Sequence, residues 1–257
     1  MIPRNFVNIV NRRRCLAPAL LLALTALCTS ASKASATVLA YGGDWNNGLS
    51  AFSYICQPCT TGGNRFDKSY ENFIVPVGQQ WAITDIFANM FFQSPVQTSE
   101  VTSAEYEIRS GVVPGKPSGS AGTLLFSGTE SVSITPTAST VLGPSGKVTA
   151  TLSVPIVLTA GEYWVSLSAI ATSSVRRLGT YGTSGANGIG DIVDGGVRWT
   201  DDFGGMFFLS DHPNQQTADI SLGLIGTTNA MSTPEPASLA LFGLGLAAFG
   251  LTRRRLA

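Results

Sequence analysis

Apolar and polar residues alternate with a period of two along most of the middle of this 257-residue chain, and Gly and Pro clusters punctuate the alternation. That pattern excludes a helical fold and demands strands with one face on a core. In Ala104-Glu105-Tyr106-Glu107-Ile108-Arg109 the even positions are apolar and the odd ones charged. Val148, Ala150, Leu152 and Val154 alternate with Lys147, Thr149, Thr151 and Ser153. Tyr163, Val165, Leu167 and Ala169 follow the same rule with Trp164 as the exception, and so do Ala218, Ile220, Leu222 and Leu224. Such segments read as half-buried antiparallel strands with one wet face.

Trp81 to Phe92 is apolar on both faces apart from Asp85 and Asn89, which predicts a central strand. Ser69 to Val75, Gly122 to Phe126 and Ser131 to Thr135 are shorter candidates. Pro76-Val77-Gly78, Gly111 to Gly122, Pro144-Ser145-Gly146 and Ala160-Gly161 read as the breaks between strands. The expected fold is all-β, a single antiparallel sandwich with jelly-roll or Greek-key wiring.

The two ends obey other rules. Arg4, Arg12, Arg13 and Arg14 precede an apolar run from Leu16 to Leu27, and Ala34-Ser35-Ala36 offers small residues for cleavage. This is the pattern of a secretory signal peptide cut after Ala36 by signal peptidase, with a signal helix over residues 1–36. Cys28 is not a lipidation site, because Leu27 precedes it where a small residue is needed. At the other end, Ala237 to Leu251 is fifteen residues long, carries no charge, and runs into Arg253-Arg254-Arg255. A helix of that length spans about 22 Å, short for a hydrocarbon core of about 30 Å. The arginines resist translocation and stay cytoplasmic. Pro234 and Pro236 keep the Glu235 backbone extended, the form a peptidase binds.

Without the ends, the exported part keeps eight basic and fifteen acidic residues of the sixteen of each in the whole chain. An acidic domain with scattered Lys and Arg lacks the basic stripe that nucleic acid requires.

Pro234-Glu235-Pro236, Ser238, the apolar run and the arginine cluster together resemble the PEP-CTERM sorting signal of Gram-negative bacteria. The resemblance implies a processing partner, the membrane-embedded cysteine peptidase exosortase, and a passing stay in the inner membrane. It implies a destination at the cell surface or in the extracellular matrix. Asn72 to Gly78 with Trp81 to Ile86, Tyr106 to Arg109 with Pro117 and Gly119 to Phe126, Leu158 to Ser166, and Ala218 to Ile225 resemble a β-sandwich domain frequent in such proteins. The division expected is a signal peptide over 1–36, a sandwich over 37–228 and the sorting signal over 229–257.

Chemistry is sparse. Cys56 and Cys59 are spaced C-x-x-C between a strand-like run and a Gly-rich turn, and an oxidising compartment favours a short disulfide over redox work. His212 is the single histidine, in a turn-rich loop with no nucleophile motif, which reads as surface. Asp191, Asp194, Asp201 and Asp202 lie among glycines around Trp199. That density suits β-turns first, and otherwise Ca²⁺ or a glycan-binding loop. A carbohydrate platform would use Trp45, Tyr181 and Trp199, with exopolysaccharide as partner. Glu105 and Glu107 share a strand face, and the reading kept for them is solvated surface. No metal site or cofactor is expected, and the function expected is non-enzymatic, with a secreted hydrolase as the weakest alternative.

Overall fold

The computed structural model describes residues 35–51, 54–55, 66–92, 98–114, 119–140, 143–171, 178–183, 185–190, 196–200, 205–208 and 219–230. Both expected terminal helices, Cys56, Cys59, His212 and the Asp191–Asp202 acidic residues fall outside that set. No helix among the described residues is long and apolar enough to cross a membrane.

The described residues are nearly all strand, as the alternation requires. In order they are β1 (Thr37–Tyr41), β2 (Trp45–Ala51), β3 (Tyr54–Ile55), β4 (Phe66–Phe92), β5 (Val101–Ser110), β6 (Thr123–Thr140), β7 (Gly143–Ala171), β8 (Leu178–Thr183), β9 (Val197–Thr200), β10 (Gly205–Phe208), β11 (Asp219–Ile220) and β12 (Leu222–Ala230). The main path of the sheet is β1-β12-β4-β3-β7-β5-β6. Every pairing is antiparallel except the Ile55–Ile170 contact of β3 with β7.

β4 and β7 organise the rest. Glu71 to Val75 pair with Val165 to Gly161, and Gln80 to Phe91 pair with Thr159 to Ser145. The second half of β4 also pairs with β12, so Trp81 to Phe92 is the central strand its two apolar faces predict. β6 pairs with β5 up to Ser131 and with β7 from Val132 onward. One hydrogen-bonded network results, whose long strands each serve two sets of neighbours.

Most of the expected breaks lie inside strands. Pro76, Val77, Gly78 and Gln79 bulge from β4 between Val75 and Gln80. Gly78 has φ 81°, a left-handed value that glycine tolerates. β7 bulges in turn between Thr151 and Ile156, opposite the shift from Ile83 to Asp85. There the alternation fails: Val154 is 72% exposed, while Ile156 and Leu158 are buried. Its neighbour Pro155 has no N–H to offer the ladder, which suits a bulged position.

The larger core cluster of the described residues draws Ile83, Ile86, Met90 and Phe92 from β4, Ala104 and Ile108 from β5, Val148, Ala150, Val165 and Leu167 from β7, and Leu222 and Leu224 from β12. Burying one such Ile or Leu side chain contributes about 1.5–3 kcal/mol.

Candidate functional site

The expectation of a wet outer face fails over β5 and the second half of β7. Ser166, Ser168 and Trp164 are buried although they lie opposite the core-facing Val165, Leu167 and Ala169. Glu107 pairs with Ser166 and Arg109 with Trp164 in register, so these side chains share the same face. Lys68 and Tyr70 of β4 reach the same place. Tyr70, Trp164 and Val112 form a second apolar cluster with Ala121 packed against it.

Glu107 is the centre of that face, and the reading of it as solvated surface is corrected here. Lys68 Nζ stands 2.5 Å from Oε1 of Glu107 and 2.5 Å from Oε1 of Glu105. The Tyr70 hydroxyl donates to Oε2 of Glu107 at 2.6 Å, and Arg109 Nε donates to the same oxygen at 2.7 Å. Arg109 Nη1 donates to the Ala121 carbonyl at 3.2 Å. That bond ties Ala121 to the face, next to the paired Val113 and Ser120 backbones.

Burial pushes the Glu107 carboxyl up, but hydrogen bonds from Lys68, Tyr70 and Arg109 outweigh it and hold the group below the usual carboxylate range. Burial, reinforced by the Glu107 charge, pushes the Tyr70 phenol far up, so it remains a donor. The burial of Arg109 works against its charge, but Glu107 more than offsets it. Two cations and two carboxylates balance, which is how charges survive on a covered face. Sequence reasoning missed Lys68, Tyr70 and Arg109. The available signal was a pair of period-two polar runs, Lys68-x-Tyr70-x-Asn72 and Glu105-x-Glu107-x-Arg109, with complementary charge.

A second polar network joins β1 to β4 and the turn before β12. Asn89 Nδ2 donates to the Tyr41 hydroxyl at 3.0 Å and to Ser221 Oγ at 2.7 Å. Tyr41 donates to Asp44 Oδ1 at 3.0 Å, and Ser221 Oγ donates to the Gly43 carbonyl at 2.7 Å. Asn187 Nδ2 closes the outside by donating to Asp44 Oδ2 at 2.6 Å. Asn89→Ala should cost about 1–3 kcal/mol, because partners lose their donor in a part-buried site. A urea titration reads this as a lower midpoint with an unchanged slope.

Of the proposed aromatic platform, Tyr181 is not at the surface. Trp45 and Tyr181 do meet, with ring centroids 4.5 Å apart. But Tyr181 lies in β8 and is 1% exposed, packed on Phe91 and hydrogen-bonded to Ser145 at 2.6 Å. It is a core residue, which corrects its assignment to a binding loop. Trp45 opens β2 half-buried. Trp199 sits in β9, in register with Lys68 and Met206. Asp201 and Asp202 lie outside the described residues. Among the described residues no three His, Cys, Asp or Glu gather as metal ligands do.

At the processing ends, Ala34 is outside the described residues, whereas Ser35 and Ala36 are exposed and β1 starts directly after them at Thr37. Pro234, Glu235, Pro236, Ser238, Arg253, Arg254 and Arg255 also lie outside the described residues. No curated protein matches the chain significantly. Residues 232–255 match the family model of the PEP-CTERM protein-sorting motif, so this chain carries a PEP-CTERM sorting signal.

Proposed function

We propose that the chain is an exported, non-enzymatic protein of a Gram-negative bacterium, delivered through its sorting signal to the cell surface or the extracellular matrix. The match of residues 232–255 carries this reading. Signal peptidase cuts after Ala36, the apolar tail halts in the inner membrane, and an exosortase-type peptidase processes the chain at Pro234-Glu235-Pro236. The folded part is a two-layer sandwich in which β4 and β7 pass from one layer to the other at their bulges and β6 passes where it changes partner from β5 to β7.

The layout of the strands supports this order of events. Among the described residues β1 begins at Thr37 and β12 ends at Ala230, just ahead of the matched span. Thr37 pairs with Gly226, so the start of β1 and the last part of β12 lie in the same region of the sheet. Both proposed cuts then fall outside these two strands. The carbohydrate-binding alternative loses Tyr181 to the core, and the structural role in surface or biofilm matrix is the reading we retain.

Replacing Pro234, Glu235 and Pro236 with alanines should leave the uncut form in the inner membrane. Fractionation and immunoblotting of the producing cells check this, and processing at the wild-type rate would refute the sorting role.

A further inference from the structure

Lys68 lies between two carboxylates on a covered sheet face, 2.5 Å from Oε1 of each. The far oxygen of Glu107 is held by two donors, Tyr70 at 2.6 Å and Arg109 at 2.7 Å. An amine in contact with a carboxyl group, a second carboxylate beside that amine, and paired donors on the far oxygen are the parts of an acyl-transfer site. We propose that Lys68 and Glu107 condense inside the folded chain to an isopeptide cross-link, with Glu105 carrying the protons.

The reaction balances with no co-reactant. Glu105 takes a proton from the Lys68 ammonium and hands it to Oε1 of Glu107, leaving a neutral amine beside a neutral carboxylic acid. The nitrogen lone pair attacks Cδ of Glu107 and forms the new C–N bond. Negative charge gathers on Oε2, under the Tyr70 hydroxyl and the Arg109 guanidinium. Glu105 then moves one more proton from the nitrogen to Oε1, the Cδ–Oε1 bond breaks, and that oxygen departs as water. One ammonium and one carboxylate become one neutral amide and one water.

Three observations favour Glu107 over Glu105 as acceptor, and the product over the ion pair. The Glu107 side chain is 9% exposed against 27% for Glu105. Among the described residues Lys68 is the donor to Glu105, whereas Oε2 of Glu107 carries the two donors that an oxyanion needs. Charges held out of water carry a desolvation cost that a neutral amide lacks. Groups fixed this way react at effective molarities of roughly 10⁵–10⁸ M. The facing groups are Lys68 and Tyr70 from β4, Glu105 and Arg109 from β5, the uncharged Trp164 and Ser166 from β7, and the uncharged Val112 and Ala121 from the loop.

The cross-link is independent of the sorting reading, since it concerns the folded part alone. The test is a proteolytic digest of the denatured full-length protein, analysed by mass spectrometry. The expected product joins the peptide carrying Lys68 to the peptide carrying Glu107, lighter than their sum by one water. Separate unmodified peptides from a chain that had unfolded cooperatively would overturn the proposal.

Lys68→Arg preserves the charge and cannot form this bond, so its two peptides should stay separate. Its pH profile gives a second readout. With Lys68 in place and no bond formed, its hydrogen bond and those of Tyr70 and Arg109 hold the Glu107 carboxyl below its ordinary value, and an arginine at 68 is expected to keep that direction. The stability it contributes is complete above that ordinary value and is lost as pH falls through the lowered one. The cross-linked wild type has no titrating Glu107, and this acid loss should be absent. Identical acid profiles would count against the bond. Glu105→Gln should slow bond formation by roughly 10²-fold or more, and an unchanged rate would remove Glu105 from the reaction.

Discussion

Gly226→Ala should be among the most damaging single substitutions in the folded part, costing about 4 kcal/mol or more. A methyl group at this position would stand 2.1 Å from the Ala82 carbonyl oxygen and 2.9 Å from its carbonyl carbon. Ile83 Cα lies 2.9 Å away as well. All three atoms belong to the backbone of β4, so no rotamer change relieves the clash. β4 cannot retreat either, because the same stretch pairs with β7 through Ala82–Val157 and Ile83–Ile156. Gly226 sits at the register shift where β12 steps along β4, and it is also the partner of Thr37 in β1. The substitution therefore strikes three strands together. Since domains are stable by only about 5–15 kcal/mol, the variant should show a much lower urea midpoint or no cooperative transition. A midpoint within the error of wild type would mean that β12 does not approach β4 as closely as described.

The sequence shows why Gly226 could not be singled out in advance. It follows an alternating run, Ile220 to Ile225, whose fold class is readable, but its role depends on which strand lies beside it. Periodicity reports which face a residue occupies and nothing about its neighbour. The same limit explains the polar face. Glu105 and Glu107 alternate correctly with Ala104, Tyr106 and Ile108, so the core side of β5 was legible. Whether the other side was wet depended on Lys68 and Tyr70, each 37 residues from its carboxylate partner along the chain. A lone strand cannot reveal a cation supplied by another.

The processing ends behave in the opposite way. The sorting signal at residues 232–255 is recognised from local sequence alone, so it is legible without knowing which strand lies beside it. Tyr181, read as a loop aromatic, lies buried in β8 for a related reason. An aromatic residue set among Gly179, Thr180 and Gly182 looks like part of a loop, yet Thr180 to Thr183 pair with β2, β4 and β11.

Phe73→Ala carries the second large effect, about 3–5 kcal/mol as for other buried Phe truncations. Phe73 lies before the β4 bulge and Trp81 after it, yet their rings stack with centroids 5.7 Å apart and planes within 10°. Tyr163 of β7 adds a third ring, 5.9 Å from Phe73. The stack spans the place where Pro76 to Gln79 leave the β7 ladder, with Gln79 held by Ala230 of β12. Offset aromatic pairs contribute about 0.5–1.5 kcal/mol beyond their burial, and here that contribution fixes the direction in which β4 resumes. Removing the ring should thus do more than leave a cavity. It should loosen the hinge between the two halves of β4, and hydrogen exchange should rise at Gln80 to Ile83 as well as next to Phe73. A local change confined to Phe73 and its immediate contacts, with protection kept across Gln80 to Ile83, would show that the bulge holds its shape without the stack.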